Sequence, residues 1–477
     1  MRAGCYFEGE LMLLDTEMFK RLDAIIEAGR DGAIAELTQL CAVPSVSAKN
    51  EALEPCAEIV ADLMRKRSIH AKLVTSPSGG PPIVYGECRA NRSDAATVLF
   101  YNHYDVQPAE PFDLWESPPF TLTVRDGKAT ARGAADDKGH IVSRLLALDA
   151  VRAAYGGDYP FHIKFVVEGE EEVGSPHLGA WIEQNQQMLR ADACIWEEGG
   201  TDEKGAPYLY CGMRGIAYFE LSVRTIAYDA HSGVGGSLLP NAAWRLTWAL
   251  ASLKDKYERI LLPGHYDSAK PASLRDLQLL EALPSDEAYF REQFALPEGG
   301  FLGGAQTAGL EYKRRGVFEP TLTLCGIESG WQGQGAKTVL PATARAKMDF
   351  RLVPDQDPDA VHKSLRAHLD AQGFSDIEIA YLGGQRPARI DPDHPLVKLA
   401  AETAEEIYGK PASIIPIVGG SGPMWWFSGL LGLPVTSPGI EYPGVRVHSP
   451  NEHIRLDDFV RGTRHLAYLL ARIDEAV

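Results

Sequence analysis

ARGAADDKGH, residues 131–140, is the stretch on which the fold of this chain turns. Two adjacent carboxylates, Asp136 and Asp137, follow a glycine and two alanines. Ile141, Leu145 and Leu148 then fall at i, i+4 and i+7, the apolar face of a helix. Acids entering the first turn of a helix cap its free N–H groups and favour its dipole, and taken alone that explains them. Their company changes the reading. NHYDV at 102–106, EGEEEVG at 168–174, CIWEEGG at 194–200 and VHSPNEH at 447–453 each set a His or a carboxylate where an apolar run stops. That is a metal site in outline.

Outward from this stretch, strands alternate with helices. TVLFYN (97–102) ends at His103, FHIKFVVE (161–168) ends at an acidic cluster, and DACIW (192–196) ends at Glu197. Apolar strands separated by helical stretches predict a mostly parallel sheet buried on both faces. Ligands of open α/β sheets bind beyond the carboxyl ends of the strands, which is where all three deliver an acid or a His. Amphipathic helices are predicted over 16–42, 53–68, 395–408 and 456–473, with a further strand over 412–418. From about residue 211 the texture changes. AYFELSVRT (217–225) alternates as a half-buried strand does, and a helix over 240–253, strands near 320–327 and 343–353, a helix near 358–372 and a strand at 376–382 follow. The order β-α-β-β-α-β is that of a ferredoxin-like α+β unit. The expected organisation is a catalytic domain over 1–210 and 389–477, with a second domain over 211–388 inserted into it.

At 477 residues the chain is long enough for two full-sized cores. A net charge of −18 argues against nucleic acid or an anionic membrane as the main partner. No run of about 18 apolar residues predicts a membrane span, and the acids within MRAGCYFEGELMLLDTEMFKRLD make that segment a poor secretion signal. Seven scattered cysteines without a C-x-x-C pair point to reduced thiols and a cytoplasmic protein.

Imidazole nitrogen and carboxylate oxygen suit hard-to-borderline divalent cations, and thiolates are absent from these motifs. A metal pair needs one bridging carboxylate and further ligands on each ion. His103, Asp136, Glu172, Glu197 and His448 are the candidates, with Glu171 beside a ligand and free to face a water. Each residue alone has an ordinary reading as a polar strand end or a solvated loop. Five of them at strand ends or in glycine- and proline-flanked loops do not.

The set HYDVQP (103–108), RGAADDKG (132–139), GEEEVGS (169–175), HSGVGGS (231–237) and VHSPNEH (447–453) resembles the di-zinc dipeptidase and aminoacylase family. Carnosinase-type dipeptidases, bacterial glutamate carboxypeptidases, succinyl-diaminopimelate desuccinylase and acetylornithine deacetylase belong to it. HSGVGGS and AKTVLP (336–341) lean toward the dipeptidase branch. The resemblance implies a zinc-exopeptidase-like catalytic domain with an inserted lid and dimerisation domain, and two divalent ions, zinc foremost, with manganese or cobalt as alternatives. It implies His103 and Glu197, with the adjacent Glu198 as the alternative, on one ion, Asp136 bridging, Glu172 and His448 on the other, Asp105 orienting His103, and Glu171 as the general base. His231 resembles the residue that stabilises the oxyanion, often across a homodimer interface. Arg351, in MDFRLVP, resembles the arginine that binds the substrate carboxylate. Gly420 and Ser421, in VGGSGP, resemble a loop that closes over that carboxylate.

The implied activity is hydrolysis of dipeptides or other small peptides with a free carboxylate. The alternatives are an amidohydrolase of N-acyl or N-carbamoyl amino acids and an inactive, metal-bearing scaffold. Where the carnosinase branch carries an Arg-Glu pair, this chain reads Pro416-Ile417-Val418, and Met424, Trp425 and Trp426 follow the loop, which points to a more apolar pocket. Trp115 is a core or site-wall candidate. A second GHYDS at 264–268 follows Pro263-Gly264 rather than a strand, so His265 and Asp267 are expected in a loop.

Overall fold

The computed structural model describes residues 4–297 and 299–477. The chain forms two compact units. One comprises the chain up to Cys211, Ile390–Ile415 and Trp426–Val477, and the other Gly212–Arg389 and Pro416–Trp425. In chain order the principal elements are α1 (Gly4–Cys41), α2 (Leu53–Arg65), β1 (His70–Ser76), β2 (Gly79–Cys88), β3 (Thr97–His103), α3 (Lys138–Ala154), β4 (His162–Glu168) and β5 (Ala193–Ile195). The second unit contributes β6 (Gly215–Arg224), α4 (Ala242–Leu253), β7 (Thr321–Ser329), β8 (Thr343–Leu352), α5 (Pro358–Ala371) and β9 (Glu378–Gln385). The first unit then closes with α6 (Pro395–Tyr408), β10 (Val435–Thr436) and α7 (Leu456–Ala471). No helix among the described residues is long and apolar enough to cross a membrane.

The first unit is built on a six-stranded sheet in the order β1-β2-β4-β3-β5-β10. β4, β3, β5 and β10 are mutually parallel, whereas β1 and β2 form a hairpin that joins β4 antiparallel. The hairpin departs from the sequence expectation. Its second strand opens GGPP, and consecutive prolines break the alternation by which strands are read. Six of the seven residues of β3 are buried, as a strand covered on both faces requires. Phe100 lies opposite Phe165 and Ile195, and its ring stacks on Phe165 at 4.7 Å. Helix α3 is buried almost all round, and α1 and α7 pack against it. The same register sets His103 opposite Glu168, so the ends of β3 and β4 open side by side.

The second unit holds a four-stranded antiparallel sheet in the order β7-β8-β6-β9, a ferredoxin-like β-α-β-β-α-β arrangement. Ala217, Phe219, Leu221 and Val223 alternate inward from β6 and share a core with Leu246 of α4 and Leu365 of α5. Asn241 caps α4 and Asp357 caps α5, where Pro358 occupies the first turn. One boundary differs from expectation: Pro416–Trp425 packs with this unit rather than with the rest of 389–477. The Val418 amide donates to the Gly212 carbonyl at 2.9 Å, and Ile417 packs on Leu280 and Phe318. The strand expected over 412–418 is accordingly confined to Ser413–Ile415, which pairs parallel with Pro207–Tyr210.

Candidate metal centre

The acids of the 131–140 stretch do not act as helix caps. Asp137 is the N-cap residue of α3, yet its side chain makes no capping bond. Its Oδ2 instead accepts from Asn102 Nδ2 at 2.7 Å and from the His103 amide at 3.1 Å, while His140 Nδ1 stands 3.1 Å from Oδ1. Asp136 faces two histidines at once. Its Oδ1 is 2.8 Å from His103 Nε2 and its Oδ2 is 3.0 Å from His448 Nε2. His448 Nε2 is also 3.0 Å from Glu172 Oε2. Two glycines let this loop close: at Gly133 (φ +82°) a Cβ would meet Val106 at 2.7 Å, and at Gly139 one would lie 2.1 Å from the Ala134 carbonyl oxygen.

Two sets of ligand atoms, each within 4.8 Å of one another, result: His103, Asp137 and Glu197, and Asp136, Glu172 and His448. Asp137, absent from the sequence-derived candidates, thus joins the first set, and Glu197 rather than its neighbour Glu198 stands in it. His448 holds a φ of +57°, a left-handed conformation costly for a residue with a Cβ, as do Arg446 and Asn451 beside it.

Neighbouring side chains fix these groups. Asp105 is fully buried, and its carboxylate accepts from the amides of Glu171 (3.2 Å) and Glu172 (3.1 Å), while His103 Nδ1 stands 3.1 Å from its carbonyl oxygen and 3.3 Å from its Oδ1. It therefore orients one candidate ligand and the loop that carries two acids. Glu168, at the end of β4, accepts from Tyr101 Oη at 2.7 Å and Ser175 Oγ at 2.8 Å, closing the 169–174 loop from beneath. Arg144, buried in α3, donates to the carbonyls of Trp196 and Glu197. Trp115 packs beside the Arg132 guanidinium and donates to the Ala109 carbonyl. Arg144 and Glu452 escaped the sequence reading, and Glu168 entered it only as part of a motif, with no role of its own. Glu452 lay inside a quoted motif, and an acid at His448+4 was the one available signal.

The donor set fits cations. Glu197 Oε2 is buried without a hydrogen-bond partner, and buried carboxylates are retained when paired or bound to metal. Burial pushes Glu171 well above the usual carboxylate range, against the pull of His103 and with the push of Asp136. Burial also raises Glu197, reinforced by Glu171, and carries Glu198 up to about 7. For Asp136 burial acts upward, but the hydrogen bonds from His103 and His448 outweigh it and hold the group far below its ordinary range. Hydrogen bonds to Asp136 and Glu172 lift His448 to about 10. The site thus concentrates negative charge, which two divalent cations would neutralise.

The remaining predicted residues belong to the second unit. Arg351 Nη1 donates to Ser421 Oγ at 2.9 Å, and the Arg214 amide donates to the Gly420 carbonyl at 3.0 Å, so the 416–425 loop and Arg351 form one group. His231 is exposed. Its Nδ1 accepts from the Gly233 amide, capping the single turn Ser232–Gly235, and its Nε2 lies 3.4 Å from Thr338 Oγ1. His265 is buried against Phe350 in a turn, away from any strand end, as expected for the second GHYDS.

Residues 99–472 match a family model described as Peptidase family M20/M25/M40. The chain is 30% identical over 472 residues to the Cys-Gly metallodipeptidase dug1 of Schizosaccharomyces pombe, a match covering 93% of this chain and 96% of that protein. It is 31% identical over 337 residues to the cysteinylglycine-S-conjugate dipeptidase of Corynebacterium striatum, covering 69% and 70%. Among solved structures it is similar to the M20-family metallo-carboxypeptidase Sso-CP2 of Sulfolobus solfataricus, with a TM-score of 0.85 and 32% identity over 92% of this chain and 98% of that one. It is similar also to human carnosine dipeptidase 1, with a TM-score of 0.76 and 26% identity over 95% and 99%.

Proposed function

The chain belongs to peptidase family M20/M25/M40, and on that premise we propose that it is a two-metal exopeptidase cleaving dipeptides and other small peptides that end in a free carboxylate. The observation that carries this reading is Asp136, whose two oxygens face the Nε2 atoms of His103 and His448. In this reading His103, Asp136 and Glu197 hold one divalent cation, with Asp137 beside them, and Asp136, Glu172 and His448 hold the other. Nitrogen and oxygen donors without thiolate suit zinc, with manganese or cobalt as the alternatives that metal analysis separates.

When bound, the pair supplies Lewis acidity toward the scissile carbonyl and acidifies a water. Glu171, its loop held on Asp105, takes the proton and returns it to the leaving amine. Arg351 receives the substrate carboxylate through its planar guanidinium, with Gly420 and Ser421 beside it. His231 donates to the developing oxyanion, supplied across a homodimer formed by the second unit. An edge supports that dimer: β7 pairs on one side only among the described residues and exposes Leu324 and Ile327. Sedimentation that finds a fully active monomer would sink the dimer. The cytoplasm is the proposed location, because Cys41, Cys56 and Cys194 are buried free thiols.

The test is amine release from mixed dipeptides and from N-acyl amino acids, after chelation and again after zinc is restored. Zinc-dependent cleavage of dipeptides supports the proposal. Cleavage of acylated amino acids alone would keep the metal centre and replace the substrate, and no release with two ions bound would favour a scaffold.

A further inference from the structure

Glu452 gathers donors from one short loop. Its Oε1 accepts the amides of Ala135 at 2.9 Å and Asp136 at 3.1 Å. Its Oε2 accepts the Gly133 amide at 3.1 Å and Arg132 Nη1 at 2.7 Å. The Glu452 carbonyl takes the Ala131 amide at 3.1 Å. The side chains of Arg132 and Glu452 are 2% and 1% exposed. The amides of Gly133, Ala135 and Asp136 precede α3, and buried amides require acceptors.

Glu452 lies on the segment that presents His448. It leads directly into His453–Arg455, a strand that pairs antiparallel with Lys128–Thr130, immediately before the 131–136 loop. One length of chain therefore carries a candidate ligand and the group that shapes the loop of another.

We propose that Glu452 is the positioning residue of the metal-bridging carboxylate: it sets Asp136 between His103 and His448 before any ion arrives. The inference rests on the two-metal reading above and adds what makes that site exist in advance of the metal. The task demands a glutamate. Each oxygen serves two donors, and the charge answers Arg132 in a place where an unpaired ion would be costly. Glutamine would turn its NH2 group toward two of the four donors.

Two measurements on the full-length protein test this. The first is hydrogen exchange of the wild type in the presence of a chelator. The amides of Ala135 and Asp136 are expected to stay as protected as in the zinc-loaded protein. If they exchange freely without zinc and slow only after it is added, the ion orders the loop and the proposal is overturned. The second is zinc affinity of the metal-stripped protein, read by competition with a chromophoric chelator. Glu452→Gln is expected to bind about 10- to 100-fold more weakly, the usual cost of losing a partner that orients a ligand. Equal affinity would overturn the proposal. A wild type that binds fewer than two ions would instead overturn the two-metal reading, and the protection of the chelated loop would still judge Glu452.

Discussion

Replacing Asp105 by asparagine exchanges one carboxylate oxygen for an NH2 group and puts three contacts at issue. The carboxylate has the Glu171 amide and His103 Nδ1 on Oδ1, and the Glu172 amide on Oδ2. Asparagine keeps one acceptor oxygen, so its NH2 group must face the Glu172 amide or the Glu171 and His103 pair. Either orientation leaves a buried donor against a donor. A hydrogen bond to a charged group is worth about 1.5–3 kcal/mol, and at about 1.4 kcal/mol per factor of ten this predicts a loss of roughly 10- to 100-fold in activity. The loss should fall on kcat rather than KM, because the loop carries Glu171, proposed above to exchange protons with the reacting atoms. The assay is steady-state dipeptide cleavage at saturating zinc, with metal content measured on the same samples. A kcat within about twofold of wild type at equal zinc content would refute the reasoning. A loss seen only at limiting zinc and absent at saturation would assign Asp105 to His103 alone and not to the Glu171 loop.

Glu171→Gln should lower kcat by about 10²- to 10⁴-fold, the usual weight of a general base. Its zinc stoichiometry should be unchanged, since Glu171 stands in neither ligand set, and unaltered turnover would remove the mechanism. Arg351→Lys, which gives up a planar two-point contact for a single ammonium, should raise KM for peptides with a free carboxylate by about tenfold. It should leave C-terminal amides unaffected, and an equal effect on both would detach Arg351 from the carboxylate. Burial lowers His465 to about 4 in the fold, against about 6.5 in the unfolded chain. The unfolded chain therefore takes up a proton first. Stability present above about pH 6.5 is lost as pH falls toward 4, by up to about 3 kcal/mol at 1.36 kcal/mol per unit. Urea midpoints at pH 7 and pH 4.5 read this directly. His465→Gln, which can still donate to the Ala400 carbonyl that His465 Nε2 now faces, should flatten that part of the profile, and an unchanged slope would place the acid sensitivity elsewhere.

Much of the candidate site was legible because its residues sit where apolar runs end. β3 stops at His103 and β4 at Glu168, and a parallel register of buried strands brings those ends together. The ferredoxin-like order was legible for the same local reason: β6 alternates buried and half-buried residues with a period of two. Where the pattern was broken the reading failed. Prolines 81 and 82 hid the β1–β2 hairpin, and nothing local tells Pro416–Trp425 to leave the unit on either side of it, since Ile417 is held by Leu280 and Phe318 far along the chain.

The sequence by itself determined the chemistry of the donors, the alternation of strands and helices, and the family motifs that join them. These are carried by residues close together in the chain, where periodicity and composition act. Only the tertiary structure decided which oxygen faces which nitrogen. It brought His448 to Asp136 across 312 positions and Glu452 to the same loop, and it chose Glu197 over Glu198 and added Asp137 to its group. Those outcomes depend on side-chain directions set by packing and by competition for buried hydrogen bonds, and no local pattern encodes them.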